Sequence, residues 1–105
     1  MDKTRNKNVE ESYTGEIGKI LHRLGSDLAN RSIKRESLTY YQDALIYKGV
    51  GFGKDSLSLA HTLRCIAEVQ LKQYKFDMGL ILFEHALQIE KKHLDDRPLV
   101  VAKTM

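Results

Sequence analysis

A chain of 105 residues is the size of one small domain. With 42% apolar and 30% charged residues it has the composition of an ordinary globular protein, which excludes a disordered chain. Seventeen basic residues against 14 acidic ones leave a net charge of +3, too even a balance to indicate nucleic acid, so a solvated mixed-charge surface is expected.

Residues 1–14 are polar. Met1-Asp2-Lys3-Thr4-Arg5-Asn6-Lys7-Asn8 has no apolar run, so no secretory signal is expected and the segment reads as poorly ordered. A helix over about 15–31 follows, with Ile17, Leu21, Leu24, Gly25 and Leu28 on one stripe. A second helix over about 34–49 carries Leu38, Tyr41, Ala44, Leu45 and Tyr47. Gly49-Val50-Gly51-Phe52-Gly53 reads as a flexible loop that ends it. That loop follows a helix and lacks a lysine-serine ending, so it is no phosphate loop.

Asp55 and Ser56 are candidate N-caps of a third helix, about 56–72, with Leu59, Leu63, Ile66, Ala67 and Leu71 at helical spacing. After a turn at 72–75, a fourth helix over about 76–93 carries Phe76, Leu80, Phe83, Ala86, Leu87 and Ile89, and Leu82 widens its apolar side. Pro98 suits the first turn of a fifth helix, about 98–105. The most apolar run, Gly79-Leu80-Ile81-Leu82-Phe83, is too short to span a bilayer. Cys65 is the only cysteine, which rules out an intrachain disulfide and fits a reducing compartment; no membrane association and a cytoplasmic location are expected.

The chain repeats itself. Shifted by 42 residues, Leu21 meets Leu63, Leu38 meets Leu80, Ala44 meets Ala86, Leu45 meets Leu87, Leu57 meets Leu99, Ala60 meets Ala102 and Thr62 meets Thr104. Ile17 with Leu59, Gly25 with Ala67, and Tyr41 with Phe83 match in size. Each unit is a helix pair, which predicts an all-α fold of stacked antiparallel hairpins. Unit 1 covers about 18–59, unit 2 about 60–101, and a third unit starts before Met105, all within a domain spanning 15–105.

Counted from Gly18 and from Ala60, small residues stand at position 8 (Gly25, Ala67) and position 20 (Ser37, Gly79), an aromatic at 24 (Tyr41, Phe83) and alanine at 27 (Ala44, Ala86). This pattern resembles the tetratricopeptide repeat. The long period, and the stretch Gly53-Lys54-Asp55-Ser56-Leu57-Ser58-Leu59-Ala60-His61-Thr62-Leu63, look like the kinesin light chain variety. The resemblance implies a short right-handed α-solenoid that binds a protein or peptide on its concave face, as part of a scaffold or adaptor. It implies no enzyme activity and no cofactor.

Some positions depart from the family. Its frequent asparagine at position 6 is Arg23 and Cys65 here, and its turn glycine at position 15 is Ser32 and Tyr74. The lysine and asparagine of the carboxylate-clamp variety are replaced by His22 and Ser26, so that clamp is not implied.

By the same resemblance the concave face is lined by Lys19, His22, Ser26, Ala29 and Asn30 of the first unit, and by His61, Arg64, Glu68, Leu71 and Lys72 of the second. The residues expected to meet a partner are Lys19, His22, Ser26, Asn30, His61, Arg64, Glu68 and Lys72. Such a mildly basic face suits an acidic peptide, where otherwise it is plain solvated surface. His61 and Cys65 lie four apart on one helix face, and His22 could face them. Three soft ligands could hold zinc, but no fourth is evident and the spacing matches no zinc motif, so no metal is expected. The alternative to a binding module is a structural fragment that self-associates through the apolar flank of its second unit and has no ligand of its own.

Overall fold

A computed structural model describes the backbone from Lys3 to Asp95 and the side chains from Tyr13 to Asp95. These residues form four helices and no strand: α1 (Lys3–Asn30), α2 (Lys34–Phe52), α3 (Leu57–Lys72) and α4 (Phe76–Asp95). Three-residue turns make α1–α2 and α3–α4 antiparallel hairpins. α1 packs mainly on α2, α3 on α4, and α2 lies against α3, while α1 touches α3 only at a few points. The molecule is a slab 20 Å thick, about two helix diameters.

The helix starts and stops follow local chemistry. Ser56 caps α3 in extended backbone, its hydroxyl accepting from Leu59 N at 3.1 Å. Two bounds differ from the sequence reading. α1 is already helical at Lys3 rather than from about residue 15, in a stretch with no proline or glycine before Gly15 to interrupt it. α2 also runs through Gly49 and Gly51 to Phe52, where a loop was expected. Only Gly53, at φ 98°, leaves the helix, its N–H donating to Gly49 O at 3.1 Å. The Phe52 ring lies over Gly15, where an added Cβ would come within 2.6 Å of its Cζ, and this packing holds the last turn of α2. The expected fifth helix at 98–105 lies outside the described residues.

The period of 42 is visible in the backbone. Ile33 N donates to Leu28 O and Lys75 N to Gln70 O, both at 2.9 Å. Ser32 N donates to Ala29 O and Tyr74 N to Leu71 O, both at 3.0 Å. Ser32 and Tyr74 both have φ 64°, so each turn enters the left-handed region without a glycine, at a cost of about 1 kcal/mol. These pairs are related by the same shift that aligned the apolar residues.

Small residues sit where the helices of a hairpin touch. A Cβ on Gly25 would fall 2.9 Å from Tyr41 Cδ1 and 3.1 Å from Ser37 O. One on Gly79, if extended further, would press into Leu71, whose Cδ2 already lies 2.8 Å from the Cβ position. Ser37, fully buried, donates its hydroxyl proton to Gly25 O at 2.8 Å, so the polar atom is satisfied at the closest approach.

Two apolar clusters form the core. Leu59, Ala60, Leu63, Ala86 and Ile89 make one, and Tyr41, Ile66 and Val69 the other, with Leu45 and Leu82 packed against both. The expected stripes of α3 are therefore buried. That of α4 is only half covered: Leu80 and Leu87 are 57% and 54% exposed, whereas their counterparts Leu38 and Leu45 are half-buried. The reason is position, since α2 has α3 behind it and no described helix lies behind α4.

Candidate functional site

The first helices of the two units, α1 and α3, carry the eight residues singled out from the sequence. Lys19, Asn30, His61, Glu68 and Lys72 are exposed; His22, Ser26 and Arg64 are half-buried. Lys19 makes a loose, exposed ion pair with Glu16 at 3.5 Å, one turn away on α1. Asn30 and Lys72 close the last turns of α1 and α3, so they mark one end of the face.

Arg64 does not project freely. Its Nε donates to both carboxylate oxygens of Glu90 on α4 at 3.1 Å, and its guanidinium lies 5.9 Å from the Phe83 ring centroid. The Arg64 guanidinium holds the Glu90 carboxyl below the usual carboxylate range, and Glu90 raises Arg64 in turn. Arg64 is thus a strut between α3 and α4 as well as part of the face.

The structure brings His22, His61 and Cys65 together between α1 and α3. The two imidazoles stack with centroids 4.7 Å apart and planes 30° apart. Cys65 Sγ lies 3.8 Å from His22 Nε2. The buried Tyr41 ring backs the group, its centroid 5.3 Å from that of His22. Burial raises the Cys65 thiol, so the sulfur is held protonated rather than activated as a nucleophile.

Behind His22 stands a residue that sequence reading passed over. Lys48 on α2 is 2% exposed. Its ammonium donates to Ser58 O at 3.0 Å and to Thr62 Oγ1 at 2.7 Å, and Thr62 Oγ1 lies 2.8 Å from His22 Nδ1. Thr62 is fully buried, and its hydroxyl also lies 3.4 Å from Ser58 O. With the proton on His22 Nδ1, Thr62 accepts from both His22 and Lys48 and donates to Ser58 O, so every contact is a bond. That tautomer leaves the Nε2 lone pair facing Cys65.

Burial lowers His22 to about 4, with the charges of Lys48 and His61 adding to it. Burial also lowers Lys48 to about 8. The imidazole is therefore neutral at neutral pH. No protein family, curated protein or solved structure matches this chain.

Lys48 could have been found from spacing. Ser37, Tyr41, Ala44 and Lys48 follow one another at four, three and four residues, and all are buried on one stripe of α2. Its charge hid it. Its counterpart one period later is Glu90, which also reaches α3.

Proposed function

We propose that the chain is a tetratricopeptide-like protein-interaction module of the long, kinesin light chain-like kind, a segment of a right-handed α-solenoid in a scaffold or adaptor. In this reading α1 and α3 present a concave face to an extended or helical peptide of acidic character. The observation that carries it is the row of polar side chains on two rigid, adjacent helices: Lys19, Ser26, Asn30, His61, Glu68 and Lys72. Polar groups on packed helices need little ordering when a partner arrives, which lowers the entropic cost of binding. Among the described residues no helix is long and apolar enough to cross a membrane. We read the chain as a cytoplasmic binding protein and not an enzyme.

The test is selection of peptides from a random displayed library on the immobilised chain. Enriched acidic peptides should bind the purified chain, and Lys19→Glu with Lys72→Glu should weaken them at least tenfold with an unchanged helical spectrum. Both lysines are exposed, which makes them better probes than Arg64, whose loss also breaks the Glu90 pair. Failure to enrich peptides, or binding indifferent to both changes, would sink the reading.

A second reading is favoured by the outer side of α4. Leu80, Ile81, Leu87 and Leu94 are exposed there, a row of apolar groups of the kind that pairs with another chain. In this version the fragment self-associates through that open flank. Light scattering across a concentration series separates the two, because a monomer at every concentration removes this version and leaves the groove untouched.

A further inference from the structure

His22, His61 and Cys65 each offer one donor atom, and the three atoms lie within 4.8 Å of one another. Two come from α3, one turn apart, and the third from α1, so helix packing and not chain proximity gathers them. Zinc about 2.0–2.1 Å from nitrogen and about 2.3 Å from sulfur, in a tetrahedron, separates nitrogen from sulfur by about 3.6 Å and nitrogen from nitrogen by about 3.4 Å. His22 Nε2 and Cys65 Sγ stand at 3.8 Å, already close to such an edge. His61 is exposed, and a turn of its ring by up to about 1.4 Å would bring the 4.8 Å spread of the donors to such edges.

The surroundings suit the donors. With its proton on Nδ1, His22 donates to Thr62 and turns the Nε2 lone pair to the shared space, the role an outer partner plays for a metal-bound histidine. Tyr41 and the α1–α2 packing lock the His22 ring from behind. Lys48 donates to Thr62, which sits on the Nδ1 side of His22 and not on the Nε2 side that faces the donors. A nitrogen, nitrogen and sulfur set selects a borderline or soft ion such as zinc over calcium or magnesium.

We propose that His22, His61 and Cys65 form a surface zinc site with three protein donors and a fourth position open to solvent. On binding, the Cys65 thiol gives its proton to solvent and the thiolate joins the metal, with both imidazoles neutral. Three protein donors with one open position is the arrangement of exchangeable and reactive zinc sites, whereas closed structural sites use four. The site spans α1 and α3, so an ion there would clamp the two repeat units across the face. It stands on these three side chains alone and does not depend on the peptide-binding reading.

Cobalt(II) reports such a site directly. One equivalent added to the full chain should give a thiolate-to-cobalt charge-transfer band in the near ultraviolet and the intense ligand-field bands of tetrahedral coordination. Zinc(II) should displace it at one-to-one stoichiometry and raise the melting temperature. Cys65→Ser should abolish the charge-transfer band. His61→Ala should weaken cobalt at least tenfold, and because His61 is exposed this variant keeps its fold. Thr62→Val, which keeps all three donors, should weaken it about tenfold to a hundredfold through loss of ring orientation. No charge-transfer band in the unaltered chain, or an undiminished band in His61→Ala, overturns the proposal.

Discussion

The two hairpins share one register but are built differently inside. In the first, α2 is covered by α1 on one side and α3 on the other, and its buried stripe ends in polar residues, Ser37 and Lys48, each with its bonds made. In the second, α4 is covered on one side only among the described residues; Gly79 stands for Ser37, and Glu90 for Lys48. The comparison shows what a repeat demands. Size at the contact points is kept, since Ser37 and Gly79 are both small and buried. Polarity is free to vary wherever a partner atom from the next helix satisfies it.

The largest effect should come from the position that both hairpins keep small. Gly79→Leu forces a side chain into Leu71 and should cost about 3 kcal/mol, which for a domain this small lowers the melting temperature by roughly 10–20 °C. Full helicity and an unchanged melting temperature by circular dichroism would break the register on which the comparison rests.

A smaller effect should separate the polar interior of the first hairpin from the second. Between pH 6.5 and about 4 the unfolded chain binds a proton at His22 that the folded chain refuses. Stability should therefore fall as pH drops through that window, by about 1–2 kcal/mol after discounting for the half-exposed ring. Between about 8 and 10.5 the unfolded chain keeps a proton that folded Lys48 has released, so stability should rise with pH there. Melting temperatures across pH would show both steps, and His22→Gln should flatten the acid one while leaving the other.

The smallest effect sharpens the likeness of the turns. Ser32→Gly should stabilise by about 1 kcal/mol, because it relieves the left-handed backbone at φ 64°. Tyr74→Gly should give about half as much, since it also removes the edge contact of the Tyr74 ring with Phe76 at 6.2 Å. Chemical denaturation would read both; a loss of stability in either would mean that the turn geometry differs between units.

Much of the fold was legible in the sequence. The four helices, the Ser56 cap, the small residues at the hairpin contacts and the buried stripe of α3 all follow from spacing. These are local or periodic features, and a helix exposes its period to anyone who counts residues. The sequence also grouped His61 with Cys65, because four residues on one helix make one face. It could not tell that Gly49 and Gly51 stay helical, since that depends on Phe52 finding Gly15 on another helix.

Apart from His22, which the repeat register had already set against His61 and Cys65 as an expectation, pairings between helices were decided only by the tertiary structure. His22 reached His61 and Cys65, Lys48 reached Thr62, and Arg64 was tied to Glu90, across separations of 39, 14 and 26 residues for His22–His61, Lys48–Thr62 and Arg64–Glu90. No local pattern encodes which face of one helix meets which face of another, because burial and hydrogen bonding are satisfied only after packing chooses the partner. Periodicity set out two similar hairpins; their packing turned one of them into the seat of a polar cluster and, among the described residues, left the outer side of the other exposed.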